Sequence, residues 1–252
     1  MNSSAQSTAR GPVSYLYGLY CWLAFLVCIF FAILSAVLIP GLERRRRYVS
    51  ACSRMVFTLA GVHVKVRGYE NLPAGHCIVV ANHASIVDGV LLQGFLPPRF
   101  SFVIKGEMQR IPGISFLMRR VGSKFVERFD ASGSARDARH LLRAASAGES
   151  LTFFAEGTVI SQPGLSRFRA GAFVAAIKAS VPLVPLAISG SRQVLLAHTL
   201  LPRHGHLRID ILNPVEPSHQ AFADRKELAE LSRQRILEVL DEPDLLAGKT
   251  DA

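Results

Sequence analysis

Asn82-His83-Ala84-Ser85-Ile86-Val87-Asp88 places an imidazole and a carboxylate five residues apart, directly after the apolar run Cys77-Ile78-Val79-Val80-Ala81. A second polar island, Glu156-Gly157-Thr158, follows the apolar run Leu151-Thr152-Phe153-Phe154-Ala155. A carboxylate bonded to one imidazole nitrogen fixes the tautomer and makes the other nitrogen a better base. Such a base takes a proton from a hydroxyl as its oxygen attacks an activated carbonyl. No Gly-x-Ser-x-Gly nucleophile elbow is present, which favours direct transfer over an acyl-enzyme. No nearby His, Cys or second carboxylate completes a metal ligand set around His83.

The geometry sets a condition. In a continuous helix, residues five apart diverge by roughly 140°; in a strand they face opposite sides. His83 and Asp88 meet only if the chain turns between them. Ser85 is the expected N-cap of a helix beginning there, with His83 in the preceding loop and Asp88 in the first turn. The competing reading makes His83 a bonded loop histidine and Asp88 a carboxylate favoured by the helix dipole.

The surrounding pattern supplies such a turn. Short apolar runs at 62–66, 77–81, 100–104, 124–126, 151–155, 183–188 and 207–211 read as strands. Helical stretches fall at 85–96, 114–121, 134–147, 170–179 and 224–240. The alternation predicts an α/β domain, a mostly parallel central sheet flanked by helices. Ligands collect beyond the carboxyl ends of strands in such sheets, where both islands fall.

An N-terminal membrane-associated helical segment precedes this domain. Tyr15 to Ile39 is twenty-five residues without a formal charge; as a helix it is about 37 Å long, against a hydrocarbon core of about 30 Å. Pro40-Gly41 ends it and Arg44-Arg45-Arg46-Arg47 follow. The h-region is too long for a signal peptide, and no small-x-small site precedes Pro40. The arginines predict a membrane location with the domain on the cytoplasmic side, the inner membrane in a bacterium. Two seatings stay open: a full span, or entry into one leaflet and return. Tyr48, Cys52, Met55 and Leu59 recur at helical spacing, fitting either an interfacial helix or one packed on the domain.

These boundaries divide the chain into a disordered 1–11, a membrane unit 12–61, a catalytic domain 62–241 and a flexible tail 242–252. The net charge of +10 requires an anionic counterpart, and the apolar segment makes it a membrane surface. No zinc-finger spacing or RNA-binding motif supports nucleic acid. Cys21, Cys28, Cys52 and Cys77 lack metal or secreted spacing and read as core or lipid-facing residues.

Asn82-His83-x4-Asp88 resembles the first motif of the glycerolipid acyltransferases, the family of the 1-acylglycerol-3-phosphate and other lysophospholipid acyltransferases. Lys105, Ile111-Pro112-Gly113 and Gly122-Ser123-Lys124-Phe125-Val126-Glu127-Arg128 resemble its second motif. Phe154-Ala155-Glu156-Gly157-Thr158, followed by Phe168-Arg169-Ala170-Gly171, resembles the third, and Val181-Pro182-Leu183-Val184-Pro185-Leu186 the fourth.

The resemblance implies that His83 is the general base on the acceptor hydroxyl and Asp88 its orienting partner. It implies that Lys105, Arg128, Glu156, Gly157, Thr158 and Arg169 hold the acceptor's polar head, with Asn82, Gly122 and Pro185 in support. Pro182 and Pro185 are expected to steer a strand into the sheet edge. No cofactor is implied: acyl-CoA or acyl carrier protein is the donor substrate and a lysolipid the acceptor. The third motif departs from its usual Phe-Pro-Glu-Gly-Thr-Arg, with Ala155 for proline and Val159 for arginine. Arg167 or Arg169 is placed to compensate. The expected product is phosphatidic acid from 1-acylglycerol-3-phosphate. Lyso-ornithine lipid or another lysophospholipid is the alternative acceptor, and a lipid-binding tether the non-enzymatic reading.

Overall fold

Each apolar run expected to be a strand forms one. A computed structural model describes residues 11–126, 131–197 and 199–247, with backbone alone at 131–135. Its strands are β1 (His63–Arg67), β2 (Ile78–Ala81), β3 (Phe100–Lys105), β4 (Lys124–Val126), β5 (Ser150–Phe154), β6 (Leu183–Ser189) and β7 (His206–Ile211). Helices α1 (Pro12–Leu38) and α2 (Leu42–Leu59) precede the sheet. Among the strands lie α3 (Val87–Phe95), α4 (Pro112–Arg120), α5 (Ala131–Ser146), α6 (Gly171–Ala179) and α7 (Ser191–Val194), and α8 (Arg225–Leu237) closes the fold.

The sheet runs β1-β7-β6-β2-β5-β3-β4. Strands β6, β2, β5, β3 and β4 are mutually parallel; β7 is antiparallel to β6 and carries β1 parallel to itself. Both faces are covered, and the central strand β2 is accordingly apolar and buried at every position. In β2, Ile78 and Val80 enter the core shared with α5, α6 and α8. Val79 and Ala81 enter the other, shared with α2 and α3. α8 buries Leu228 and Ile236 in the first of these cores.

Pro185 does not lie at a sheet edge. Its strand β6 is third of seven, between β7 and β2. The proline is tolerated because Leu183 exchanges both backbone bonds with Val215, and the β7 ladder resumes only at Leu186. Pro185, of the same parity as Leu183, turns its missing N–H into that gap while its carbonyl accepts from the Leu212 N–H at 2.9 Å.

α1 and α2 form an antiparallel hairpin laid on the domain. Small residues recur along one face of α1, with Gly18, Cys21, Ala24, Cys28, Ala32 and Ala36 buried, and permit close approach to α2. The opposite face exposes Leu19, Leu23, Leu26 and Phe30. Tyr17 and Tyr20 hydroxyls donate to the Ala60 and Leu59 carbonyls, and the Trp22 indole to the Leu200 carbonyl. At the other end, Arg120 donates to the Ala36 carbonyl at 2.8 Å.

α2 packs on the domain with a different stripe from the one its periodicity suggested. Val49, Ser50, Ser53 and Phe57 are buried, whereas Tyr48, Met55 and Leu59 are exposed. Nor do all four arginines face outward. Arg46 is buried and donates to the carbonyls of Val121, Pro98 and Arg99 and to the Ser101 hydroxyl. Burial lowers its pKa from the ordinary arginine value. Arg45 donates to the Arg120 and Ile39 carbonyls, leaving Arg44 and Arg47 exposed.

The tail expected from residue 242 is docked as far as it is described. The Glu242 carboxylate accepts from Arg192 and from the Gly164 N–H. Asp244 accepts from Arg233 and pairs in a bridge with Leu165. Residues 1–10 of the segment expected to be disordered lie outside the described residues, and α1 starts at Pro12.

Candidate active site

Neighbouring strands β2 and β5 end at the same level, because Ala81 pairs with Phe154. Their trailing islands are therefore side by side at the carboxyl edge of the sheet. Asn82 anchors the first: its amide accepts from the Ile188 N–H at 2.7 Å and donates to the Ile188 carbonyl at 2.9 Å. The side chain thus copies a strand pair and holds the chain against β6.

The chain then turns, and His83 and Asp88 meet. His83 Nδ1 lies 3.1 Å from Asp88 Oδ2. The same oxygen accepts the Ala84 and Ser85 N–H groups, each at 2.8 Å. Asp88 is fully buried in the first turn of α3, a favourable place for a carboxylate. Ser85 does not cap the helix as expected. Ile86 holds that position, and the Ser85 hydroxyl donates to the Leu195 carbonyl at 2.6 Å. Asp88 itself collects the loop amides, and the Ser85 hydroxyl oxygen also accepts the Val87 N–H at 3.4 Å.

The His83 ring stacks on Phe154 with centroids 3.9 Å apart and planes 16° from parallel. Asp88 and Phe154 together set the ring's position and tilt. With Nδ1–H donated to Asp88, Nε2 presents its lone pair as a base. Among the described residues nothing else bonds the ring. Phe154 belongs to the recognised motif, yet its type and spacing carry no hint that it would support the imidazole.

Glu156 ties the two loops together. Its Oε1 accepts the His83 N–H at 2.8 Å, and its Oε2 accepts from both the N–H and hydroxyl of Ser166. The carboxylate is buried, and both of its oxygens accept bonds from the two loops. Ser166 is a partner that sequence reasoning missed, since no local pattern links it to Glu156. Gly157 makes the turn after Glu156 at φ 79°, a left-handed value that favours glycine.

Lys105, at the end of β3, donates to the Thr158 hydroxyl at 2.9 Å, bringing two expected site residues together. Arg169 is exposed beside them and bonds the Glu156 carbonyl at 3.4 Å. Arg128 lies outside the described residues. Gly122 supports at a distance. It ends α4 at φ 78°, and a Cβ there would lie 2.8 Å from the Arg46 guanidinium. Among the described residues no three His, Cys, Asp or Glu side chains are placed to hold a metal ion.

An apolar cavity of about 220 Å³ lies below the His83 loop, between α1, α2, α3 and α4. Phe154, Ile86, Gly89, Cys52 and Ala32 are among its walls, and among the described residues none that lines it is charged.

A family model described as Acyltransferase matches residues 63–189, from β1 through β6. The chain belongs to the acyltransferase family. It is 26% identical over 235 residues to the 1-acyl-sn-glycerol-3-phosphate acyltransferase of Saccharomyces cerevisiae, covering 90% of this chain and 78% of that one. It is 30% identical to the chloroplastic 1-acyl-sn-glycerol-3-phosphate acyltransferase BAT2 of Brassica napus over 60% of its length, and spans 44% of that relative. The crystal structure of PlsC, the 1-acyl-sn-glycerophosphate acyltransferase of Thermotoga maritima, superposes with a TM-score of 0.73. That comparison covers 95% of this chain and 98% of the other at 25% identity.

Proposed function

We propose that this chain is a membrane-attached O-acyltransferase. It moves a fatty acyl group from a thioester to the free hydroxyl of 1-acylglycerol-3-phosphate, giving phosphatidic acid. The observation that carries this is the His83–Asp88 pair, oriented by buried contacts and set directly above an uncharged cavity. Names of the yeast and Thermotoga relatives point to the same reaction.

In this reading the acyl chain enters the cavity, leaving its thioester beside His83. Nε2 removes the acceptor's proton as the hydroxyl oxygen attacks the thioester carbon. The tetrahedral intermediate then expels the thiolate, which takes the proton from the imidazolium. The ester bond formed replaces the C–S bond broken, and His83 returns neutral. Asp88 supports the transient positive charge and keeps the tautomer correct. Lys105, Thr158 and Arg169, with Arg128, hold the phosphate by charge-assisted bonds.

The exposed apolar face of α1 accounts for attachment to the membrane. Because both ends of α1 are bonded to the domain, the helix suits immersion in one leaflet better than a crossing. Delivery of a cytoplasmic thioester places the domain on that side.

Purified protein with acyl thioester and lysophosphatidic acid should release thiol in step with acceptor, and His83→Ala should lose at least about a thousandfold of that rate. Equal release by wild type and His83→Ala would sink the reading. Val159, where the family has arginine, favours a second acceptor class with a larger head. A lysophosphatidylcholine acyltransferase of Drosophila melanogaster is 27% identical over 83% of this chain. Mass spectrometry of products from a mixed lysolipid panel separates the two.

A further inference from the structure

A second crevice lies on the opposite face of the sheet, between α5 and α6, with a volume of about 440 Å³. It starts at Gly157 and Arg169, beside the catalytic loops, and descends α6 to Lys178 and Arg225. Its floor is neutral, formed by Val103, Phe153 and Ala155, while its lining among the described residues carries four cations and one carboxylate. The described residues lining the cavity under the α1–α2 hairpin carry no charge. Phe154, on whose ring His83 stacks, is the single residue among those described that lines both.

We propose that this crevice seats the phosphorylated nucleotide arm of a coenzyme A thioester. The inference rests on the acyl-transfer reading and adds the donor's identity and path. A thioester lying over the end of β5 sends its apolar chain into the uncharged cavity on one side. The polar arm descends the crevice on the other, and the reacting carbon sits beside the stacked His83 and Phe154 rings, within reach of Nε2. Distribution of charge matches this ligand. Its anionic phosphates lie at the far end of a long neutral arm, and Lys178 stands roughly 10 Å down α6 from the catalytic level. Arginine and lysine bind phosphate oxygens by charge-assisted bonds. A carrier protein has a single phosphate on the same arm and then a folded body too large for a crevice between two helices.

The test uses Lys178→Glu and Arg225→Glu in the full chain; both side chains are exposed. Calorimetric titration of free coenzyme A should show affinity weakened about tenfold or more in each variant, the loss of one charge-assisted contact. The KM for acyl-CoA should rise by a similar factor while the KM for lysolipid stays constant. With an acyl-pantetheine thioester, which lacks the phosphates, variants and wild type should turn over alike. Unchanged coenzyme A affinity in both variants overturns the assignment. So does an equal loss with acyl-pantetheine, or a defect confined to acyl carrier protein as donor. Wild type that binds coenzyme A through these residues but acylates no lysolipid refutes the acyl-transfer reading and leaves the binding site standing.

Discussion

The carboxylate of Glu156 accepts the backbone N–H of His83 at 2.8 Å, joining two loops separated by 73 residues. The bond sets where the imidazole stands, because it holds His83 by its backbone while Asp88 and Phe154 hold its ring. The other oxygen accepts from the Ser166 N–H and hydroxyl. Glu156→Gln keeps the volume but presents an NH2 group to one of these donors, so one bond is lost. We expect kcat to fall about 10–100-fold with little change in acceptor KM, since small displacements of a base cost on that order. Steady-state kinetics decide it: a rise in acceptor KM alone would mean direct binding.

Gly89 lines the apolar cavity, and a Cβ built there meets nothing within 4 Å. Gly89→Leu therefore fills the cavity without disturbing the backbone of α3. Preference among acyl-CoA donors should move toward shorter chains by several carbons, with the rate on the shortest donors retained. A competition assay over a chain-length series reads the shift, and an unmoved profile would place the acyl chain elsewhere.

Arg46 and Arg44 belong to one basic run but have different roles. Arg46→Met removes the donors to the Val121, Pro98 and Arg99 carbonyls and to the Ser101 hydroxyl, and should cost about 2–4 kcal/mol. Arg44→Met removes an exposed charge and should stay within about 0.5 kcal/mol. Thermal denaturation in detergent compares them: Arg46→Met should melt several degrees lower and Arg44→Met close to wild type.

The hydrogen bond from Arg233, aided by the Leu246 N–H, holds the Asp244 carboxyl below the ordinary aspartate value. A carboxylate whose folded pKa is lowered contributes its full stability above the unfolded value, about 3.9. That contribution fades as pH falls from there through the lower folded value. The melting-temperature advantage of wild type over Asp244→Asn should therefore be constant above about pH 5 and shrink progressively below about pH 4. An advantage that grows in acid would contradict the pairing.

Leu23 and Phe30 project from the exposed face of α1. Leu23→Asp and Phe30→Asp should sharply reduce co-sedimentation with anionic phospholipid vesicles while leaving the melting temperature near wild type, since neither side chain supports the core. Unchanged sedimentation would move the membrane contact away from α1.

The sequence by itself determined the layers of this protein and where its chemistry collects. Runs of apolar residues such as 77–81 can satisfy their backbone and bury both faces only as central strands. Polar residues directly after them must then emerge at the sheet's edge, so His83 and Glu156 were legible as neighbours of strand ends. The charge-free stretch ending at Pro40-Gly41 was likewise legible as a helix.

Tertiary structure alone decided who touches whom. The order of strands makes β2 and β5 neighbours, and no local pattern encodes that order. It brings Glu156 to the His83 amide, Phe154 beneath the imidazole and Ile188 to Asn82. The same holds for Arg46, which reads as one of four equivalent cations until packing buries it among carbonyls of the domain. Side-chain type and local spacing follow from the chain's own periodicity. Contacts between distant segments depend on how whole elements pack.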